Sequence, residues 1–219
     1  MTAHVTAALA PYASVCRVAA ARKLTRRDWT SAALRAMGQH GLSGIAVEPL
    51  AKSLGATKGS FYWHFRDREE LVTAALERWE QEGTEAVIAT LQPVADGHAR
   101  LRQLLTALFV TPSGATGPPS ALKADAEHKA VDISIALTAD PEHPAVAEVI
   151  ARVTARRVSY IADQLSDVGI NADEAHRRAL LAYTAYLGSS TLARSAPGTM
   201  PQGRDAERLV ESMVSVLTQ

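Results

Sequence analysis

The sequence predicts an all-α protein of about nine helices. Three observations predict it. Apolar residues recur three and four positions apart along most of the chain, which is the period of a helix buried on one face. The intervals between these stretches hold Gly, Pro, Asn and Asp, residues that end helices or build turns. No segment shows the strict apolar/polar alternation of a convincing strand. With 219 residues, 47% hydrophobic and 21% charged, the composition is that of a soluble globular chain able to bury a sizeable core as one domain or two modest ones.

Formal net charge is zero, but the charge is unevenly placed. Residues 1–70 hold ten Lys/Arg against five Asp/Glu, so the remainder carries the opposite surplus. This reads as a basic binding head on an acidic body. Cys16 is the only cysteine, so no disulfide closes within one chain and a reducing cytoplasm fits. No apolar run is long enough for a membrane span. The Ala/Val-rich start, Met1 to Ala21, has its charges Arg17, Arg22 and Lys23 after the apolar part, the reverse of a secretory signal. Residues 1–23 are therefore read as an extension, 24–70 as the head and 71–219 as the body.

The first helix runs from Thr25 to His40 on the stripe Trp29, Ala32, Ala33, Ala36 and Met37, and Gly41 stops it. Glu48–Leu54 and Lys58–His64 are two short helices joined by a turn of about three residues containing Gly55, a helix-turn-helix pattern. Thr57 suits the N-cap of the second, because its hydroxyl can accept an orphaned N–H of the first turn. Asp67 with Glu70 three residues on has capping-box spacing. The helix it opens carries Leu71, Val72, Ala75, Leu76, Trp79, Ala86 and Val87 to about Leu91, a reach of roughly 36 Å. Pro93 and Gly97 break it.

Further helices follow in order. Leu101, Leu104, Leu105 and Leu108 mark one; a loop follows at 113–119, then a helix from Ala121 to Thr138. Val146 to Val168 form a long helix ending at Gly169, and Asn171 caps another running to Leu192. Arg204–Leu217 is the last.

From Arg26 to Trp79 the sequence resembles the TetR family of bacterial one-component transcriptional repressors. The residues that carry the likeness are Ala33 to Leu42, Val47, Leu50-Ala51, Leu54-Gly55, and above all the run from Thr57 to Phe65 followed by Arg66 to Leu71. Ala46 departs from the Thr or Ser many members place before the second helix, and Pro49 in that helix's first turn is unusual. The resemblance implies a three-helix DNA-binding head and a helical body that binds a small molecule and dimerises.

On that reading Lys58 and Gly59 enter the major groove, where Lys can donate to guanine and Gly lets the backbone approach closely, and Ser60, being short, reads a base edge or nothing. Thr57, Tyr62, Trp63 and His64 set register on phosphate and sugar, with Lys52, Arg26 and Arg27 as further phosphate contacts. Phe61 and Phe65 hold the helix in the core. Trp79, Leu104, Leu108, Phe109 and Ile133 are the candidates to line an effector pocket. Tyr183, Tyr186, Leu209, Met213, Val214 and Leu217 are the candidates for a four-helix dimer interface between the last two helices of each copy.

The histidines are scattered without HxxxH or HxH spacing, and no GxSxG, GxGxxG or Walker phosphate loop occurs, so neither metal, cofactor nor catalysis is expected. The expected partners are palindromic operator DNA, a small-molecule effector and a second copy of the chain, with no membrane. The alternatives are a DNA-binding dimer without a ligand, and a helical enzyme or carrier whose helix-turn-helix is structural.

Overall fold

Local capping sets the first element of the head. In the computed structural model, which describes residues 23–110, 133–137, 140 and 142–219, Thr25 Oγ1 accepts the Asp28 N–H at 3.2 Å and the Asp28 carboxylate accepts the Thr25 N–H at 2.7 Å. This reciprocal pair opens α1 (Arg26–His40). Trp29, Ala33 and Met37, one turn apart on one face, are fully buried. A short 3-10 turn, Gly41–Gly44, follows, and it lies so close to α1 that a Cβ on Gly44 would stand 2.6 Å from the Ala36 carbonyl oxygen.

Helix α2 (Val47–Ser53) starts from Ala46 with no side-chain cap. Pro49 fits its first turn because the N–H it lacks would have had no helical acceptor. The turn to α3 (Lys58–Tyr62) depends on Gly55 at φ 63°, a left-handed conformation that costs a residue with a Cβ about 1 kcal/mol. Helix α3 stops two residues short of the expected end, because the His64 and Phe65 N–H groups both close onto the Phe61 carbonyl.

Asp67 caps α4 (Arg68–Glu80), its carboxylate accepting the Glu70 N–H at 2.8 Å. The expected reciprocal half does not form. Glu70 instead accepts the Arg66 backbone N–H at 2.9 Å and the Arg26 guanidinium at 3.0 Å. Beyond Glu80 the chain stays helical through a π turn, Gln81–Glu85, into α5 (Ala86–Leu91), giving the expected long rod. The π turn sits where the rod passes from one core to another. Leu71 to Trp79 pack with the head, Val87 to Leu91 with the body.

Asp96 caps α6 (Gly97–Phe109). Gly97 is thus the first residue of a helix rather than a break. It is buried against α8, where a Cβ would lie 2.6 Å from the Gln164 carbonyl oxygen. The body continues with α7 (Ile133–Leu137), α8 (Pro144–Asp167), α9 (Ala172–Ser195) and α10 (Arg204–Thr218). Every element among the described residues is helical, as expected, and the ten segments, with α4 and α5 one rod, come close to nine. The readings for residues 1–22, the loop 113–119 and the helix from Ala121 up to residue 132 lie outside the described residues.

Two apolar cores result. One joins α1 to α4 with Ile133 and Leu137 of α7 and Val146, Val149 and Val153 of α8. The other joins α5, α6, the second half of α8, α9 and α10. Helices α4–α5 and α8 run through both, so head and body are tied by two continuous rods.

Candidate nucleic-acid interface and effector cleft

Helix α3 is short, and packing rather than propensity holds it. The Thr57 hydroxyl accepts the Ser60 N–H at 3.3 Å at its start. Phe61, fully buried, lies edge-on to Trp29 at 5.5 Å and stacks on Phe65 at 5.5 Å. With that side fixed, the other is presented outward. Lys58 and Gly59 are exposed and Ser60 is half-buried. Tyr62 is 55% exposed and Trp63 88% exposed. An indole projecting almost wholly into water gives nothing to the fold, so it marks a surface that meets something else. His64 is half-buried beside them.

The cations divide. Lys58 Nζ lies 2.9 Å from Glu48 Oε1, which draws the lysine's pKa up and the carboxylate's down, first through the hydrogen bond and then through charge attraction. Both groups are solvated, so the pair is weak and readily exchanged for a phosphate or a base. Lys52 is exposed on α2. Arg26 is a strut within the head: its guanidinium sits 4.2 Å over Phe65 and donates to the His64 carbonyl and to Glu70. Arg27 faces the π turn, pairing with Glu82 at 3.3 Å. The structure thus brings Lys58, Gly59, Tyr62 and Trp63 out on α3 and the residue after it, with Arg26 engaged at the His64 carbonyl and Arg27 turned toward the π turn.

In the body a narrow cleft opens between the π turn, α5, α6, α8 and α9. Leu104 and Leu108 line it as expected. Trp79 and Ile133 do not, since both are buried in the head core, and Phe109 packs half-buried on the body core. Tyr183 and Tyr186 form the cleft's wall and are buried by their own chain, as Val214 and Leu217 are in the body core. Those four side chains cannot cover a partner. The exposed apolar residues of the last two helices are Leu180, Leu181 and Leu192 on α9 and Val216 on α10, beside half-buried Leu209 and Met213.

The cleft also holds two polar residues that sequence reasoning missed. Arg157 donates from Nε to Thr84 Oγ1 at 3.0 Å, from Nη2 to the Gly83 carbonyl at 3.1 Å and from Nη1 to Ser134 Oγ at 3.2 Å. Its guanidinium stands 5.2 Å from the Trp79 ring. Tyr160 is buried, its hydroxyl has no hydrogen-bond partner among the described residues, and burial pushes its pKa up against the pull of Arg100 and Arg156. The signal was present: positions 153, 157, 160 and 161 continue the apolar face of α8, so an arginine and a tyrosine stand where a core helix carries aliphatic residues.

Residues 30–75 match the family model described as bacterial regulatory proteins, tetR family. Over those residues the head is similar to a tetR-family domain. The chain is 39% identical over 56 residues to the HTH-type transcriptional regulator AcrR of Shigella flexneri, an alignment covering 26% of this chain and 25% of that protein. The chain thus spans about a quarter of the length of the curated relatives it matches. The whole fold resembles two solved structures. One is a putative TetR-family transcriptional regulator from Rhodococcus sp., with 22% identity, 89% of this chain and 98% of that one covered, and a TM-score of 0.62. The other is a putative transcriptional regulator from Saccharomonospora viridis in complex with choline, with 17% identity, 88% and 92% covered, and a TM-score of 0.64. No helix among the described residues is long and apolar enough to cross a membrane, and no cluster of His, Cys, Asp or Glu there could hold a metal ion.

Proposed function

We propose that the protein is a ligand-responsive transcriptional repressor that binds a palindromic operator as a homodimer. The observation that carries this reading is the outer face of α3, where Lys58, Tyr62 and Trp63 stand in solvent on a helix pinned from behind by Phe61 and Phe65. The tetR-family match over the same residues supports it. Two such helices, one from each copy, would enter successive major grooves about 34–36 Å apart. Leu181, Leu192 and Val216, with Leu209 and Met213, supply the apolar face on α9 and α10 that a second copy would cover.

The rod from Arg68 to Leu91 gives the route for control. It starts behind α3, passes through the head core and reaches the cleft at its π turn. A ligand that binds better when the rod is tilted shifts the dimer toward a head spacing that no longer matches two grooves, by as much as its affinities for the two states differ. That the Saccharomonospora viridis protein was solved with choline supports a ligand-binding body in this fold.

Fluorescence anisotropy with DNA taken from upstream of the coding region, against an unrelated duplex, tests the reading. The expected result is a preference of about a thousandfold or more, falling steeply as salt is raised. Equal affinity for both duplexes overturns it.

A further inference from the structure

Among the described residues, Arg157 is the one ionised side chain lining a cleft that is otherwise mainly aliphatic and aromatic. A guanidinium stays charged in a protein, and a partly buried cation is stable only with close acceptors. The acceptors it has are neutral: a threonine hydroxyl, a serine hydroxyl and a backbone carbonyl. No carboxylate pairs with it among the described residues, whereas its neighbours Arg152 and Arg156 are matched to Glu80 and Glu85. One helical turn on, on the same face of α8, the Tyr160 hydroxyl is buried with no hydrogen-bond partner among the described residues. An unmade hydrogen bond in an apolar site is costly and is kept only where something else completes it. A cation with only neutral acceptors and a tyrosine with an unpartnered hydroxyl thus both line one narrow apolar cleft.

Resting on the reading of this cleft as the effector site, we propose that the effector is an apolar molecule bearing a carboxylate, with the carboxylate received by Arg157 and Tyr160. The same guanidinium makes occupancy of the cleft felt in the head. It now ties the π turn, through Gly83 and Thr84, to Ser134 of α7, and α7 packs its Ile133 and Leu137 into the head core beside α1. A carboxylate forms the stronger, charge-assisted bond and competes with these neutral acceptors. Arg157 turning toward the ligand frees the π turn from α7. A cationic or neutral ligand of equal size has no such effect.

Two probe series test this by calorimetry on the intact protein: octanoate against octanol and octyltrimethylammonium, and naphthoate against naphthalenemethanol. At least one carboxylate is expected to bind about tenfold or more tightly than its alcohol, with the quaternary ammonium weakest. Arg157→Gln is expected to abolish that preference. Tyr160→Phe, which keeps the ring and is the variant surest to fold, is expected to cost the carboxylate several-fold. Neither carboxylate exceeding its alcohol, or a preference that survives Arg157→Gln, overturns the proposal. Upstream DNA titrated in parallel separates this from the regulator reading. Operator binding with no carboxylate preference defeats the cleft assignment alone; the carboxylate preference without any specific DNA binding defeats the regulator reading and leaves the anionic site standing.

Discussion

Single side chains in the head fall into two sets that mutation should separate. Phe61, Phe65 and Trp29 are buried against one another and carry the packing of α3. Phe61→Ala leaves a cavity there and is expected to cost about 3–5 kcal/mol in urea unfolding. Trp63 is its opposite, with most of its surface in water. Trp63→Ala is expected to leave the melting temperature unchanged and to weaken binding to upstream DNA roughly fivefold, the loss of about one neutral contact. Glu70 gives a pH signature. The Arg66 backbone N–H, then the Arg26 and Arg66 guanidiniums, hold its pKa near 2, below the ordinary 4.5. A carboxylate depressed in the fold contributes stability that is complete above the unfolded pKa and lost as pH falls through the folded one. The wild type should therefore lose urea resistance between pH 4.5 and about 2, and Glu70→Gln should flatten that decline; an unchanged slope would sink the assignment.

Elements show what local sequence can and cannot tell. Caps were legible because they act within three residues, as at Thr57, Asp67 and Asn171. Asp67→Ala, removing the acceptor at the start of the rod, is expected to lower stability by about 1 kcal/mol in chemical unfolding. The second half of a capping box was less legible, since Glu70 answers to Arg26, distant in sequence. Gly97 read as a breaker because sequence shows the missing side chain and not the α8 backbone lying against it. Tyr183 and Tyr186 were assigned to a partner because periodicity says that a helix face is covered, not by what. Arg157 escaped notice for a related reason: its acceptors, Gly83, Thr84 and Ser134, are brought to it by two other elements.

At the scale of the molecule, two rods cross from a head core to a body core. One starts just after α3, and the other carries Arg157 at the cleft. On the proposed reading, a small motion at the π turn is passed to the placing of α3 when a second copy fixes the opposite end. The apolar stripe on α9 and α10 makes that second copy testable. Leu181→Glu combined with Val216→Glu puts charge on the two most exposed aliphatic residues of that face, and sedimentation equilibrium should shift from twice the chain mass to once, with helix content unchanged. A dimer that survives both substitutions lies on some other surface.

The central claim is that the outer face of α3 reads DNA, and one titration tests it most directly. Wild type and the double variant Lys58→Ala, Tyr62→Ala are compared by anisotropy on the same upstream duplex, with matched thermal melts. Both residues are exposed, so the melts should coincide. Specific affinity should fall by roughly thirtyfold or more, from one lost base contact and one lost backbone contact. Undiminished specific affinity in a folded double variant contradicts the account.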